Sequence, residues 1–377
     1  MRLFTDRPAT RWAVPIFAVV ALATGASLAS VSASADPNLP DRTAAQLLVD
    51  VRGAGLHAGS GTVVQTSDLG LPELPGVTTG GSGSQPVTSL LGGSHTWRVW
   101  YAGPTKARVA LVGSLGETDV IRNGQDAWVW DSAQKEAVHY TLPAEDHPAG
   151  PVPTALASQL PMTPDEAAAK ALAAIEPTTT VTTAKNVVVA GRPAYELVLT
   201  PKGSGSLVAS VHIAVDGALY VPLRVQVYST KRTAPAFEVG FTQVGFDTPE
   251  DRQFEFVAPP DTSVRNGELP GSGAAPAIPK LPLGPGGALP GGLKVVGSGW
   301  STVLVVNVPP LSGAATASGT DAVTRVLAGL PRVSGRWGWG HLLEGTLFSA
   351  VVADDGRIAL GPVAPDLLYA ALAPGTP

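Results

Sequence analysis

Side chains that could do chemistry are spread along this 377-residue chain rather than grouped in a motif. It contains no Gly-x-Ser-x-Gly nucleophile turn, no His-Glu-x-x-His helix and no phosphate-binding Gly-x-x-x-x-Gly-Lys loop. It has no cysteine, so thiolate nucleophiles, thiolate metal sites and disulfides are all excluded. The sequence thus lacks the short signatures of hydrolases, zinc peptidases and nucleotide-binding enzymes, and we expect neither a catalytic residue nor a cofactor.

The histidines and paired acids favour structural roles over catalytic ones. His139 and His212 fall on the polar faces of predicted strands, where solvated side chains are the simplest interpretation. Asp354 and Asp355 lie in a turn sequence before Gly356, which is typical of turn formers rather than of a general acid and base. None of the six histidines has metal-ligand spacing: they are His57, His95, His139, His147, His212 and His341. We therefore expect no metal site.

Composition describes a globular protein without an affinity for nucleic acid. Hydrophobic residues make up 44% of the chain and charged residues 15%, which is enough apolar material for a sizeable core. The formal net charge is −5, and no polybasic run occurs. A nucleic-acid-binding surface needs a concentration of Lys and Arg, so this class of partner is excluded.

The first 35 residues are typical of an export signal. Arg2, Arg7 and Arg11 precede an uncharged apolar stretch over residues 12–31, and an Ala-x-Ala site ends at Ala35. We expect cleavage after Ala35, with an uncleaved N-terminal membrane segment as the alternative. In either case the rest of the chain works outside the cytoplasm.

The sequence from Thr118 to Pro143 predicts a β-meander, with a turn at Asn123 and Gly124 and a second turn over residues 131–135. Side chains alternate along a strand, so the meander's Trp128 and Trp130 share one face. Two adjacent tryptophans need either a thick apolar layer or a ligand above them. For either residue alone, ordinary core packing is the simpler account.

The same alternation recurs in the strands before and after the meander. It predicts a large antiparallel sheet with one apolar side. Only two helices are available to cover it: a short one capped by Asp41, and one from Thr163 to Glu176 whose apolar stripe consists of small residues. A wide sheet with so little cover either packs upon itself or leaves a binding cavity, and the pattern leaves both open.

If there is a cavity, strand parity selects its lining. The apolar positions of the alternating strands share the concave face, provided that the register is assigned correctly. We expect the ligand-binding surface to consist of Trp97, Val99, Trp128, Trp130, Tyr195, Leu197, Ile213, Leu223 and Val225.

Residues from Asp41 to about Val264 resemble the LolA and MucB/RseB group of extracytoplasmic proteins. The resemblance lies in the helix DRTAAQLLVDV, the turn and strand NGQDAWVWD, and the strands VHIAVDGALYVPLRVQVY and FEVGFTQVGFD. It implies an antiparallel, open (unclosed) β-barrel with short plugging helices, which binds acyl chains of lipids or lipoproteins. In the RseB branch it also implies a smaller C-terminal domain and an anti-sigma factor as partner.

The remainder of the chain favours that two-domain branch. A Pro- and Gly-rich stretch of linker character precedes a pattern of a strand, a helix capped by Thr320, a hairpin turning at Asp355 and Gly356, and a terminal helix from Ala364 to Leu372. These predict a small α+β domain with a three-stranded sheet. The expected division is a leader at 1–35, the half-barrel domain at 36–264, a linker at 265–293 and the small domain at 294–377.

The sequence thus predicts a non-enzymatic binding protein of class α+β outside the cytoplasm. The preferred hypothesis is binding of lipids or acylated lipoproteins, in envelope-stress regulation or lipoprotein handling. The alternative is a protein-interaction module without a lipid ligand, whose packed sheet presents an edge strand or the loop at Trp337 to a membrane partner such as an anti-sigma factor. A hydrolase with an unrecognised site is a third possibility, and the absence of every nucleophile and metal signature argues against it.

Overall fold

The structure, a computed structural model, describes residues 39–71, 92–113, 116–142, 178–267, 293–307 and 327–375. Several predicted features lie outside these ranges. They are the leader, the helix from Thr163 to Glu176, the helix capped by Thr320, and the Pro- and Gly-rich linker from residue 268.

A large sheet dominates the described part of the chain. Its path runs β13-β6-β5-β4-β3-β2-β1-β12-β11-β10-β9-β7, and β8 pairs with β9 beside this path. Every pairing is antiparallel except that of β13 with β6. The strands are β1 (Ala58–Ser67), β2 (Gly93–Ala102), β3 (Lys106–Val112), β4 (Glu117–Asn123), β5 (Asp126–Asp131), β6 (Glu136–Thr141), β7 (Thr179–Thr183), β8 (Val187–Val189), β9 (Arg192–Pro201), β10 (Val208–Asp216), β11 (Pro222–Ser229), β12 (Pro235–Gly245) and β13 (Ser263–Asn266).

A smaller sheet follows in the order β14-β15-β19-β18-β17-β16. It has six strands where the sequence predicted three, because a short strand lies at each edge and the predicted hairpin arm before Asp355 is divided into two strands. Its strands are β14 (Lys294–Val296), β15 (Val303–Asn307), β16 (Arg332–Gly335), β17 (Gly338–Glu344), β18 (Ser349–Ala353) and β19 (Arg357–Gly361). Helix α2 (Pro365–Leu372) packs on this sheet through Leu368 and Leu372, both buried. The predicted hairpin turn between Ala353 and Arg357 is confirmed.

The edge strands β13 and β7 of the large sheet do not pair with each other. The large sheet is therefore open, and the predicted class of open antiparallel barrel followed by an α+β part is confirmed. The proposed division of the chain into four segments stays a prediction. Within the described residues, neither helix has the length and apolar character needed to cross a bilayer.

Helix α1 (Ala44–Gly53) lies on the inner face of the large sheet. Its Leu47 is fully buried in the main core cluster, and Leu48 and Val51 pack beside it. The cap is Thr43 rather than the predicted Asp41: the Thr43 hydroxyl accepts from the Gln46 amide and Gln46 Oε1 accepts from the Thr43 amide. This reciprocal capping box satisfies two otherwise free amides, which the carboxylate of Asp41, two residues earlier, does not do.

The turn between β10 and β11 is organised around one buried carboxylate. Asp216 is 1% exposed and accepts from Arg192 Nε at 2.5 Å and Nη2 at 3.1 Å. Its Oδ1 also accepts from the amides of Ala218 at 3.0 Å and Leu219 at 2.8 Å. These bonds hold the Asp-Gly turn of the DGALY sequence that carried the family resemblance.

After β12 the chain returns across the outer face of the large sheet. This return segment (residues 247–262) contains the 3₁₀ turn Asp251–Phe254, which packs on β3 and β4. Lys106 Nζ donates to Asp251 Oδ1 at 2.7 Å, and Phe254 is 1% exposed. The segment leads into β13, so it connects the middle of the outer face with an edge of the sheet.

Candidate ligand-binding surface

The structure separates the nine predicted lining residues into four groups. Five are buried in the main core cluster, with exposures from 0% to 4%: Trp97, Tyr195, Leu197, Ile213 and Val225. Leu223, 0% exposed, belongs to a second cluster with Val189, Ala194, Ala214 and Val221. Val99 is half-buried on the inner face, where it packs against the main cluster.

Trp128 and Trp130 lie on the other face of the sheet. Directly opposed residues of antiparallel strands share a face. Val99 pairs with Val109, Val109 pairs with Val120, and Val120 pairs with Val129. Val129 therefore lies on the inner face with Val99. The two tryptophans that flank Val129 in β5 point to the outer face. The prediction that all nine residues line one surface is therefore wrong for these two. The two tryptophans share one face of β5, as predicted. That face is the outer one, whereas the prediction placed it on the inner side of the sheet.

On the outer face the two tryptophans are covered by the chain itself. The Trp128 ring lies 4.8 Å from that of Phe256 in the return segment and 4.4 Å from that of His139, on which it stacks. The Trp130 ring lies 6.0 Å from that of Phe256. The two tryptophans thus pack against the return segment, which is the structural role that the sequence left as the simpler account.

The inner face of β2 to β6 carries a continuous row of valines. The residues are paired directly across successive strands, and we call them the valine row: Val99, Val109, Val120, Val129 and Val138. Val138 is 6% exposed, and the other four are half-buried. At a strand spacing of about 4.8 Å the row extends for roughly 19 Å across the sheet.

The two ends of the valine row differ in polarity. At the β2 end, Trp97 and Leu111 are the neighbouring inner-face pair, and Leu111 packs on the main core cluster. At the β6 end, the corresponding neighbours are Asp131 and Glu136, and Glu136 forms an ion pair with Arg265 of β13. The β6 end is therefore charged on this side, whereas on its other side Val120, Val129 and Tyr140 pack against the buried Ala127 and Leu142.

The register of the valine row follows from a turn that lies one residue later than the predicted turn at Asn123 and Gly124. The two-residue turn at Gly124 and Gln125 pairs Asn123 with Asp126, and counting back along both strands pairs Val120 with Val129. The same count pairs Trp128 with Ile121, on the opposite face. A two-residue turn at Asn123 and Gly124 would pair Val120 with Ala127 instead, and it too would place Trp128 on the face opposite to Val120.

One carboxyl on the outer face, that of Asp119, is buried and has a raised pKa. Asp119 is 3% exposed and contacts the Arg108 guanidinium, while Arg108 also approaches Glu117 at 3.7 Å. Burial, together with the hydrogen bond to Glu117, raises the pKa of Asp119 from 3.8 to about 7, against the opposing charge of Arg108. The folded protein thus holds a proton on Asp119 at pH values at which the unfolded chain releases it.

We expect Asp119 to make stability fall as the pH rises. A raised pKa contributes stability that is complete below about pH 4 and is lost as the pH increases to about 7. The Asp119→Asn variant removes this titration. Its free energy of unfolding, measured by denaturant titration, should therefore rise relative to the wild type by roughly 2–4 kcal/mol between pH 5 and pH 8. A difference between variant and wild type that stays constant over this range would contradict the assignment.

No family model matches the chain, and no curated protein matches it in sequence. Among solved structures, it is similar to Pseudomonas aeruginosa MucB in the MucA/MucB complex, with 15% identity, a TM-score of 0.41, and coverage of 88% of this chain and 97% of that chain. A LolA superfamily protein from Nitrosomonas europaea matches with 12% identity, a TM-score of 0.22, and coverage of 57% and 99%.

The lipoprotein LppX of Mycobacterium tuberculosis matches with 13% identity, a TM-score of 0.26, and coverage of 51% of this chain and 90% of that chain. Proteins of the LolA and MucB/RseB group are thus among the solved structures to which this chain is similar, at low identity. With identities and TM-scores of this size, the similarity supplies no ligand, partner or activity.

Proposed function

We propose that this chain is a non-enzymatic binding protein outside the cytoplasm that takes the hydrocarbon tail of an amphiphile on the valine row. The ligand class is that of lipids or acylated lipoproteins. The observation that carries the proposal is the row itself: its side chains are in register over β2 to β6, four of them are half-buried, and Asp131 and Glu136 lie beside its β6 end.

Physical chemistry supports an apolar guest on this surface. Contact with a hydrocarbon chain removes apolar area from water on both partners, which is favourable by about 25 cal/mol per Å². Valine side chains have stiff χ1 torsions, so little rotamer freedom is lost when the surface is covered. The charged neighbours Asp131, Glu136 and Arg265 offer polar contacts to a headgroup.

The valine row can be tested by placing a charge on one of two valines in the same strand. Val109→Glu puts a carboxylate in the middle of the row, and Val112→Glu puts the same group at a position of β3 that is 36% exposed and has the opposite parity. We expect Val109→Glu to weaken the displacement of a hydrophobic fluorophore by fatty acid at least tenfold, because the charge would have to be desolvated against the tail.

The control Val112→Glu should bind fatty acid as the wild type does, with both proteins checked for folding by circular dichroism. Equal affinities for the two variants would refute the proposed surface. If fatty acid displaces no fluorophore from the wild type, and the wild type retains a partner from solubilised membranes, the protein-interaction alternative replaces the lipid hypothesis. If an acyl ester is hydrolysed on incubation with the protein, an enzymatic function replaces both the lipid-binding and the protein-interaction hypotheses.

The regulatory and the carrier roles suggested by the family resemblance are part of the same proposal. An acyl chain and a membrane protein such as an anti-sigma factor could compete for one binding protein, and a carrier would need the acyl chain alone. Retention of a membrane partner that fatty acid releases supports regulation, and transfer of an acylated peptide between vesicles supports carriage.

A further inference from the structure

The turn between β17 and β18 inserts into the core of the large sheet. We call residues Gly345–Phe348 the plug turn; it is closed by a hydrogen bond from the Gly345 amide to the Phe348 carbonyl at 2.9 Å. Leu347 is 0% exposed and Phe348 6% exposed. Both belong to the main core cluster with Trp97, Val225 and Phe237 of the large sheet, so the small sheet contributes part of the large sheet's core.

Polar contacts hold the plug turn in place. The Ser229 hydroxyl donates to the Thr346 carbonyl at 2.6 Å, and the Thr346 amide donates to the Leu69 carbonyl at 2.6 Å. Lys231 Nζ donates to Glu344 Oε1 at 2.5 Å. The turn thus joins the end of β1 to the end of β11, on the inner side of the sheet.

The plug turn and the valine row belong to one apolar surface. The half-buried Val99, Val109 and Leu111 pack against the same cluster that contains Leu347 and Phe348. The inner face is therefore occupied by the protein's own aromatic and aliphatic side chains over β1 and β10 to β12. It carries the half-buried valines over β2 to β5. The β2 end of the valine row thus adjoins the cluster to which the plug turn belongs, whereas Val120 and Val129 pack against Ala127 and Leu142.

We propose that the plug turn is the end wall of the ligand site and restricts it to amphiphiles with a single hydrocarbon tail, with Phe348 as the residue that sets this selectivity. The inference rests on the proposed function. Removing a large side chain from a packed apolar cluster leaves a dry cavity, and such cavities accept apolar guests. Truncation of Phe348 should therefore add room for a second tail, contiguous with the valine row.

The test compares a lysophospholipid with the diacyl phospholipid of the same headgroup, both with chains short enough to remain monomeric. The full-length protein is used, and binding is measured by fluorophore displacement. We expect the wild type to prefer the lysophospholipid. The Phe348→Ala variant should bind the diacyl lipid at least tenfold more tightly than the wild type does, with the lysophospholipid affinity changed less than about threefold.

Two further variants keep the result interpretable. Leu368→Ala makes a cavity in the core cluster of the small sheet, which does not include any residue of the large sheet, and should leave the ratio of the two affinities unchanged. Phe348→Val is a smaller truncation for the case in which the alanine variant does not fold, and it should shift the ratio in the same direction by a smaller factor.

The outcomes separate the two proposals. A wild type that binds neither lipid refutes the proposed function. A wild type that binds the lysophospholipid, together with a ratio that neither Phe348 variant alters, leaves the valine row in place and overturns the end wall. If Leu368→Ala and Phe348→Ala shift the ratio of the two lipid affinities equally, the end-wall proposal is also overturned. Loosening of the small sheet would then be enough to explain the change in selectivity.

Discussion

Replacing Asp216 with alanine is expected to lower the free energy of unfolding by about 3 kcal/mol. The carboxylate is 1% exposed, accepts two bonds from Arg192, and receives the backbone amides of Ala218 and Leu219. Its loss leaves two amides and a guanidinium, itself one third exposed, without their acceptor. Denaturant unfolding of the variant and the wild type measures the difference.

The matched control is Asp355→Ala. Asp355 also sits in a turn and pairs with an arginine, Arg357, but its side chain is 53% exposed. Exposed ion pairs contribute roughly 0–1 kcal/mol, so this variant should lose much less stability than Asp216→Ala. Equal losses would mean that burial of the carboxylate is not what makes the turn between β10 and β11 stable.

The contribution of Asp216 should depend on pH in the acid range. Burial opposes its ionisation, but the hydrogen bonds from Arg192, Leu219 and Ala218 outweigh burial and hold the pKa below the ordinary 3.8. A depressed pKa stabilises the fold above about pH 4, and that stability is lost as the pH falls through the folded value. The gap between Asp216→Ala and the wild type should therefore narrow below pH 4.

Replacing Phe254 with alanine is expected to cost about 3–4 kcal/mol, because the side chain is 1% exposed and the vacated volume cannot be filled by neighbours held in strands. Phe254 also anchors the return segment on β3 and β4. The variant should therefore show increased amide exchange in β13 at the far end of that segment, as well as a lower unfolding midpoint.

Val257→Ala in the same segment is the control, since Val257 is 81% exposed and its truncation should change stability by less than about 0.5 kcal/mol. If Phe254→Ala and Val257→Ala behave alike, the return segment is not held by its buried phenylalanine. A loss of stability without faster exchange in β13 would show that the anchor and the edge strand are energetically independent.

Much of the strand pattern could be predicted from the sequence, because a strand with one solvent-exposed face alternates polar and apolar residues. The meander around Asn123 and Gly124 and the Asp216 turn were both located from short-range signals: turn chemistry and period-two hydrophobicity. Residue volume is a poorer guide to the side of the sheet, as Trp128 shows. An outer face covered by a return segment can be as apolar as the core.

The contribution of the small sheet to the large core could not be predicted in this way. Leu347 and Phe348 are consecutive apolar residues in a short turn, and no local feature of the sequence shows that they pack in one cluster with Trp97, some 250 residues earlier in the chain. Contacts of this kind depend on how the small sheet packs against the large sheet. The periodicity of hydrophobic residues and the residue types of turns carry no information about that packing. The valine row, by contrast, depends on a local turn, which lies one residue from its predicted position.

The position of β1 between β2 and β12 has a consequence for the order of folding. In the middle of the sheet, β1 pairs with β12, which lies about 180 residues later in the chain. Thr242 Oγ1 donates to the carbonyl of Thr62 across this pairing. Closing so long a loop carries an entropic penalty before any contact rewards it, which makes non-local pairing slow. The β2 to β6 meander can assemble early from neighbouring strands, whereas β1 keeps an unpaired edge until β12 arrives. A chain exported in the unfolded state would expose that edge longest and would depend on chaperones most at this step.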